Sequence, residues 1–457
     1  MNIKNIVLNQ RNFFSTNKTK NIDFRIQSLK KLKTEIHNRE KDIYNALYLD
    51  LGKSKSESYM SEISIIYKEI DLHIKKLKSW SKPKKVKTSM LNFLGKSYVL
   101  NIPYGVVLIM SPWNYPFQLS IMPLIGAISG GNCALLKPSE YSIETSKILK
   151  EIIRNTFSED YISIISGDIE VNQQILKEKF DFIFFTGSTS VGKIVYEKAA
   201  STLTPTILEL GGKSPTIVFN DANIEISARR IAWGKLLNSG QTCVAPDYLL
   251  LHEDIYESFI TAYIKEIKNM YGTNATLNKE YCKIISKKHF ERLKNLIDIQ
   301  NVEDVIGGRS DKNTLKIEPT IIKNVSTDNS IMQEEIFGPI LPIIKFNSYE
   351  EAFKIIKKNP DPLAFYVFTE NKNLKWKCAK ELSFGGFVAN DTIMHLANEN
   401  LPFGGIGTSG LGNYHGKYSF DIFSKKTSFL NKSTKFDINL RYAPFDKKWK
   451  WIKRFVK

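Results

Sequence analysis

The chain has 457 residues, more than one ordinary core accommodates, so two or three domains are expected. Hydrophobic content of 42% and charged content of 25% match a soluble globular protein, and no stretch approaches the roughly 20 apolar residues needed to cross a bilayer. The net charge of +18 is carried mostly by lysines spread along the chain, with arginine scarce and no nucleic-acid motif beside them, which argues against nucleic acid as a partner.

Met1 to Lys20 is polar and Asn-rich, without the apolar run and cleavage site of a secretory signal, so a cytoplasmic location is expected. From about Asp23 to Trp80, apolar residues such as Ile63, Ile66, Ile70, Ile74 and Leu77 recur at helical spacing. Lys82 to Lys87 is a basic break with a proline, and Ser97–Ile102 reads as a strand. From Tyr104 the rhythm changes. Val106–Met110, Cys133–Lys137, Ile162–Ile165, Phe182–Phe185 and Thr206–Glu209 are strand-like, and helical stretches near Phe117–Ser129, Ser142–Phe157, Val171–Lys177 and Val191–Ala200 lie between them. Such alternation predicts an α/β fold with a parallel, doubly wound sheet whose site lies at the strands' carboxyl ends. The rhythm restarts at Thr216–Phe219 and continues through a helix near Ile224–Asn238, the strand Tyr248–His252 and a helix to about Tyr271. A second α/β unit is therefore expected. After Leu401 come a Gly-rich loop and Ser419–Leu430, read as an edge or inter-subunit strand. The tail carries Trp449, Ile452 and Phe455/Val456 at helical spacing among many cations. It suits either a helix lying on anionic lipid or one docked on the chain's own surface or a partner subunit.

Four segments can carry chemistry. Phe184 to Lys193 follows an apolar strand and opens a helix; its small residues Gly187, Ser188 and Gly192 let backbone approach a pyrophosphate, although a tight strand-to-helix turn explains them equally. Asn238 to Pro246 sets Cys243 in a Gly- and Pro-flanked stretch after a helix, as a nucleophilic thiol or a small core residue. Leu208 to Pro215 ends a strand with Glu209 and two glycines; the carboxylate can act as a base, pair with Lys213 or cap a turn. Ser111 to Phe117 holds Asn114 between two prolines, where its amide can serve a developing oxyanion or form an Asx turn. The four cysteines Cys133, Cys243, Cys282 and Cys378 are widely spaced and form no C-x-x-C pair. No disulfide framework and no metal site are expected.

Taken together and in order, Ser111–Phe117, Leu136–Glu140, Phe185–Lys193, Leu208–Pro215, Gly240–Tyr248, Gln333–Pro339 and Leu401–Gly412 resemble the aldehyde dehydrogenase superfamily. Cys243–Tyr248 and Tyr414–Phe420 favour its class 3 branch, which acts on fatty and aromatic aldehydes. The resemblance implies two doubly wound domains and a small bridging β element. The expected division is 1–82 with 101–210 for the dinucleotide, 211–400 for catalysis, 83–100 with 401–440 for bridging and oligomerisation, and 441–457 as a basic aromatic tail. It implies Cys243 as nucleophile, Asn114 with the Cys243 backbone N–H as oxyanion donors, and Glu209 as the base that hydrolyses a thioester. Lys137 and Glu140 match contacts to the adenosine ribose, Gly187, Ser188 and Gly192 the dinucleotide turn, and Glu335 with Phe337 the nicotinamide ribose. Glu334 is read as a solvated or structural carboxylate, His395 and His415 as packed histidines, and Cys133 as packing. Tyr115 and Trp233 are expected to line the aldehyde tunnel. NAD is the expected cofactor, with NADP also accepted, and a homodimer the expected assembly. The competing readings are a CoA-acylating relative, against which Glu209 speaks, and an idle structural relative.

Overall fold

Ile63, Ile66, Ile70 and Leu77 are fully buried because they share one face of a helical segment packed on the rest of the molecule. In the structure, a computed structural model describing residues 2–455, that segment comprises Ile22–Asn38, Glu40–Leu51, Lys55–Ser58 and Ser64–Trp80, with a π-helical turn at Tyr59–Ile63. Asn21 caps the first of these through its side-chain oxygen, and Gly52, at φ +69°, ends the second. A further helix, Ile3–Ser15, precedes them and was not anticipated from the polar N-terminus. Ile3, Ile6, Val7 and Gln10 form its buried face, and Gln10 donates to the Ala134 carbonyl at 2.7 Å.

The alternating region forms a six-stranded sheet. Its parallel strands run Thr206–Glu209, Phe182–Thr186, Val106–Met110, Cys133–Lys137 and Ile162–Ile164 across the sheet, so chain order reverses between Val106–Met110 and Phe182–Thr186. Strands buried on both faces read as near-continuous apolar runs, as VVLIM and CALLK do. The reversal opens a crevice at the carboxyl ends, into which Ser111–Phe117, Thr186–Ser190 and Glu209 emerge.

A seven-stranded sheet follows, ordered Val305–Ile306, Thr320–Ile322, Ile340–Phe346, Tyr248–His252, Pro215–Val218, Ala364–Phe368 and Gly386–Ala389, with only the first antiparallel. The predicted α/β class with two parallel sheets is therefore present. Lys84–Val86, inside the expected basic break, pairs with Lys96–Pro103, which pairs in turn with Ser424–Asn431. The edge strand expected at Ser419–Leu430 thus begins later. Residues through Ile422 belong to the helix Lys417–Ile422, whose Ser419 and Phe420 are buried against the neighbouring helices. Within the Gly-rich loop, Gly410–Leu411 returns to pair antiparallel with Thr206–Glu209, setting Gly410 opposite Glu209.

The tail helix forms as Trp449–Phe455, while Val456 and Lys457 lie outside the described residues. Among the described residues no helix is long and apolar enough to cross a membrane.

Candidate active site

The Cys243 loop gets its shape from backbone conformations that side chains rarely adopt. Asn238, Ser239 and Gly240 all have positive φ, at +53°, +52° and +75°. Three consecutive left-handed residues reverse the chain as it leaves the helix Ile224–Leu236. At Gly240 a Cβ would sit 2.2 Å from the Gly338 carbonyl oxygen, so only glycine fits. The strain is held by a dense set of hydrogen bonds. Gln241 Nε2 donates to the Asn238 and Lys283 carbonyls, its Oε1 accepts from Ile285 N–H, and Tyr366 O–H donates to the Val244 carbonyl at 2.5 Å. Strained backbone held this firmly is a mark of functional sites.

Cys243 opens into a cavity of about 700 Å³ between the two parallel sheets, a size usual for small-molecule sites. Its walls include Asn114, Glu209, Gly187, Ser188, Glu335 and Phe337, residues from four separate segments that the sequence singled out. Asn114 is 3% exposed, and its Nδ2 donates to the Gln241 carbonyl at 3.1 Å, tying it to the cysteine loop. Phe337, at φ +53°, sets its ring edge-on to Trp113.

Electrostatics distinguish the carboxylates. Glu209 is 2% exposed, and neither oxygen has a hydrogen-bond partner. Burial alone pushes its pKa well above the usual carboxylate range. The alternative pairing with Lys213 does not form: Lys213 donates to Asp247 at 2.5 Å and to the Ile331 and Glu334 carbonyls. Glu335 is raised to about 8, first by burial and then by the nearby charge of Asp247. Burial also pushes the Cys243 thiol up, and the charges of Glu335 and Glu209 act in the same direction. At rest the nucleophile candidate is a neutral thiol beside two potential bases. Glu334 lines the cavity but is exposed, with no such confinement.

The walls suit the nicotinamide dinucleotide that the resemblance implies. A Cβ at Gly211 would lie 2.0 Å from Glu335 Oε2, so glycine there lets the Glu335 carboxylate reach the cavity wall. Thr186 Oγ1 is buried without a partner, and the helix Thr189–Ser201 begins at the cavity wall, where the Ser188 side chain accepts from the Val191 N–H at 3.4 Å and the other first-turn N–H groups have no partner within the helix. Lys137, Glu140 and Gly192 lie outside the cavity walls. Lys137 is buried and sits 3.7 Å from Glu140, while Gly192 makes room for Leu210, 2.5 Å from where a Cβ would be.

Tyr115 and Trp233 are not among the walls. Tyr115 is committed to support: its hydroxyl lies 2.6 Å from Thr242 Oγ1, and the Lys53 ammonium sits 3.8 Å from its ring centroid. Trp233 is half-buried on the core at the last turn of its helix. Leu119, Leu363, Phe403 and Tyr414 supply the apolar wall instead. Sequence reasoning also missed His289 and Arg292, which line the cavity from the helix Lys287–Asp298; no local motif marks that helix. All four cysteines are free, with Cys133, Cys282 and Cys378 buried. His415 is buried, and burial lowers His395 to about 4. Among the described residues no cluster suits a metal.

A sequence profile described as the aldehyde dehydrogenase family matches residues 2–429. The chain is 49% identical over 445 residues to the 4,4'-diaponeurosporen-aldehyde dehydrogenase of Staphylococcus aureus, covering 97% of both chains. It is 42% identical over 449 residues to rat aldehyde dehydrogenase family 3 member A2, covering 98% of this chain and 92% of the relative. The solved structure of substrate-bound Staphylococcus aureus AldH superposes with a TM-score of 0.98 at 47% identity, covering all of both chains.

Proposed function

This chain belongs to the aldehyde dehydrogenase family and is similar to its class 3 members; from that premise we propose that it oxidises an aromatic or medium- to long-chain aliphatic aldehyde to the free acid by a hydrolytic thioester route. Its activity as an oxidoreductase on aldehydes follows from the family. The observation that carries the hydrolytic reading is Glu209, a buried carboxylate with no partner, sharing one cavity with Cys243.

In this reading Cys243, once deprotonated, adds to the aldehyde carbonyl and leaves a tetrahedral oxyanion bound to sulfur. The Asn114 amide and the Cys243 backbone N–H hold that oxyanion. A nicotinamide dinucleotide, when bound against Gly187, Ser188, Glu335 and Phe337, supplies the hydride acceptor. Glu209 takes a proton from the water that opens the Cys243 thioester, releasing acid and thiol. The apolar wall of Leu119, Phe403 and Tyr414 suits a hydrocarbon substituent. NAD is favoured over NADP because a 2′-phosphate at Lys137 would have to displace Glu140. The same reading keeps 1–82 with 101–210 as the dinucleotide domain, 211–400 as the catalytic domain, and 83–100 with 401–440 as the bridging element of a cytoplasmic homodimer.

Turnover of hexanal, decanal and benzaldehyde, followed as NADH and NADPH formation with and without CoA, tests the assignment. Oxidation that depends on CoA would overturn the hydrolytic reading. Asn114→Ala is expected to lower kcat by about 10²–10³-fold, the usual cost of one oxyanion donor; a variant with wild-type kcat would remove Asn114 from the scheme.

The tail suits a contact with anionic lipid or docking on a partner subunit. Phe436, Phe445, Trp449 and Trp451 are about half exposed or more, beside the exposed cations Lys447, Lys450, Lys453 and Arg454. Deleting 444–457 is expected to abolish co-sedimentation with phosphatidylserine vesicles and leave oxidation of hexanal intact. Unchanged sedimentation would leave docking on a partner subunit as the tail's role.

A further inference from the structure

The backbone carbonyl oxygen of Asn114 receives two buried donors, both from distant parts of the chain. Lys53 Nζ donates to it at 3.1 Å across 61 residues, and Asn238 Nδ2 donates at 2.8 Å from the cysteine loop. Asn238 Nδ2 also reaches the Gln241 carbonyl at 3.2 Å, the same oxygen that accepts from the Asn114 amide at 3.1 Å. The Asn238 amide thus bridges the carbonyls of Asn114 and Gln241, the Asn114 amide adds a second bond to Gln241, and Lys53 is the charged donor among these contacts.

Lys53 is itself fixed. Its ammonium pairs with Glu62 at 2.5 Å, and both side chains are fully buried. The second oxygen of Glu62 accepts from the Phe117 and Gln118 N–H groups, each at 3.0 Å, where the helix Gln118–Gly130 begins just after the Asn114 loop. Glu62 lies in the π-helical turn Tyr59–Ile63, a form that recurs at functional sites. From the preceding turn, Glu57 accepts from the Asn238 N–H at 2.7 Å, so the same short segment also holds the left-handed start of the cysteine loop.

An ion pair buried this completely costs a large desolvation penalty, and replacing such pairs by apolar residues is often neutral or stabilising, so stability alone is a weak reason for it. Its contacts converge on the two ends of one loop: Lys53 on the Asn114 carbonyl, Glu62 on the amides that follow. We propose that Lys53 is a positioning residue for aldehyde oxidation, which through the Glu62 pair fixes the Asn114 amide relative to Cys243. The proposal rests on the reading of Asn114 as an oxyanion donor.

The test compares Lys53→Met, Asn114→Ala and the double variant of the full chain, together with Lys53→Met/Glu62→Gln. The last variant removes both charges, so no carboxylate is left buried alone if Lys53→Met fails to fold. Loss of the Lys53 contact is expected to lower kcat on the order of 10²-fold, the scale of a small misplacement of a reacting group. KM for hexanal and the affinity for NAD, read by protein fluorescence, are expected to stay near wild type. In the Asn114→Ala background the lysine substitution is expected to lower kcat no further, because groups acting through one contact are not additive. Multiplying losses, or a Lys53→Met/Glu62→Gln variant with wild-type kcat, would overturn the positioning role. Wild-type kcat in Asn114→Ala would instead overturn the oxyanion reading beneath it.

Discussion

Replacing Cys243 with alanine is expected to lower aldehyde oxidation by at least about 10⁴-fold, since removing a covalent nucleophile is among the most damaging single changes an active site can suffer. Cys243 is partly exposed at the cavity, whereas Cys133, Cys282 and Cys378 are buried, so no other thiol can replace it from another element. NAD binding is expected to survive, because the dinucleotide-facing walls come from other segments. The resting state adds a second readout. Burial and the charges of Glu335 and Glu209 push the Cys243 pKa up, so the neutral thiol predominates near neutrality. Alkylation by iodoacetamide is therefore expected to be slow at pH 7 and to accelerate as pH rises, with one equivalent lost in Cys243→Ala. Fast labelling at pH 7 would contradict the neutral resting thiol, and retained turnover in the alanine variant would contradict the nucleophile assignment.

Glu209→Gln is expected to separate the two halves of the reaction. Acylation needs the thiol and the oxyanion donors; hydrolysis of the thioester needs a base. The variant should release about one equivalent of NADH per site in a burst and then turn over about 10²–10⁴-fold more slowly, the usual contribution of a general base. The pH dependence has a definite sign. Burial raises the Glu209 pKa, so the carboxyl is protonated and inactive as a base at low pH, and steady-state turnover rises as pH climbs through its elevated pKa. In the glutamine variant that limb is expected to vanish. Glu335 is itself raised to about 8. A limb near pH 8 that persists in Glu209→Gln therefore belongs to Glu335. Absence of a burst would mean that Glu209 acts earlier, deprotonating Cys243 itself. Stopped-flow NADH formation with hexanal, and trapping of the acyl group by hydroxylamine, distinguish these results.

Local patterning was enough for much of this. Val106–Met110 and Cys133–Lys137 are legible as strands because parallel strands covered on both faces must be apolar throughout, and the structure has them at those bounds. The N-terminal helix Ile3–Ser15 was not legible. Ile3, Ile6 and Val7, with the half-buried Phe13 and Phe14, give it an apolar face, and its stability depends on packing against the first sheet rather than on its own pattern. The helical start of the Ser419–Leu430 segment was missed for a similar reason: alternation in six residues does not separate a strand from a helical turn whose buried face is set by its neighbours.

The sequence by itself determined the α/β class, the positions of most strands, the glycine-dependent turns and the identity of Cys243, Asn114, Glu209, Gly187, Ser188, Glu335 and Phe337 as candidates. The class, strands and turns follow from residues close together in the chain, where backbone sterics and apolar periodicity act directly; the roles of the site candidates, and the choice of Glu335 and Phe337 at all, came from the resemblance to the aldehyde dehydrogenase family. Tertiary structure alone decided which candidates share a cavity, and it left Tyr115, Trp233, Lys137, Glu140 and Gly192 outside the cavity walls. It also gave Lys213 to Asp247, leaving Glu209 unpaired, and it brought Lys53 to Asn114 and Asn114 to Gln241 across 61 and 127 residues. The physical reason is that desolvation and long-range hydrogen bonding exist only once the sheets have packed. A carboxylate's pKa or an ammonium's partner is a property of the assembled interior, which no local pattern in the chain encodes.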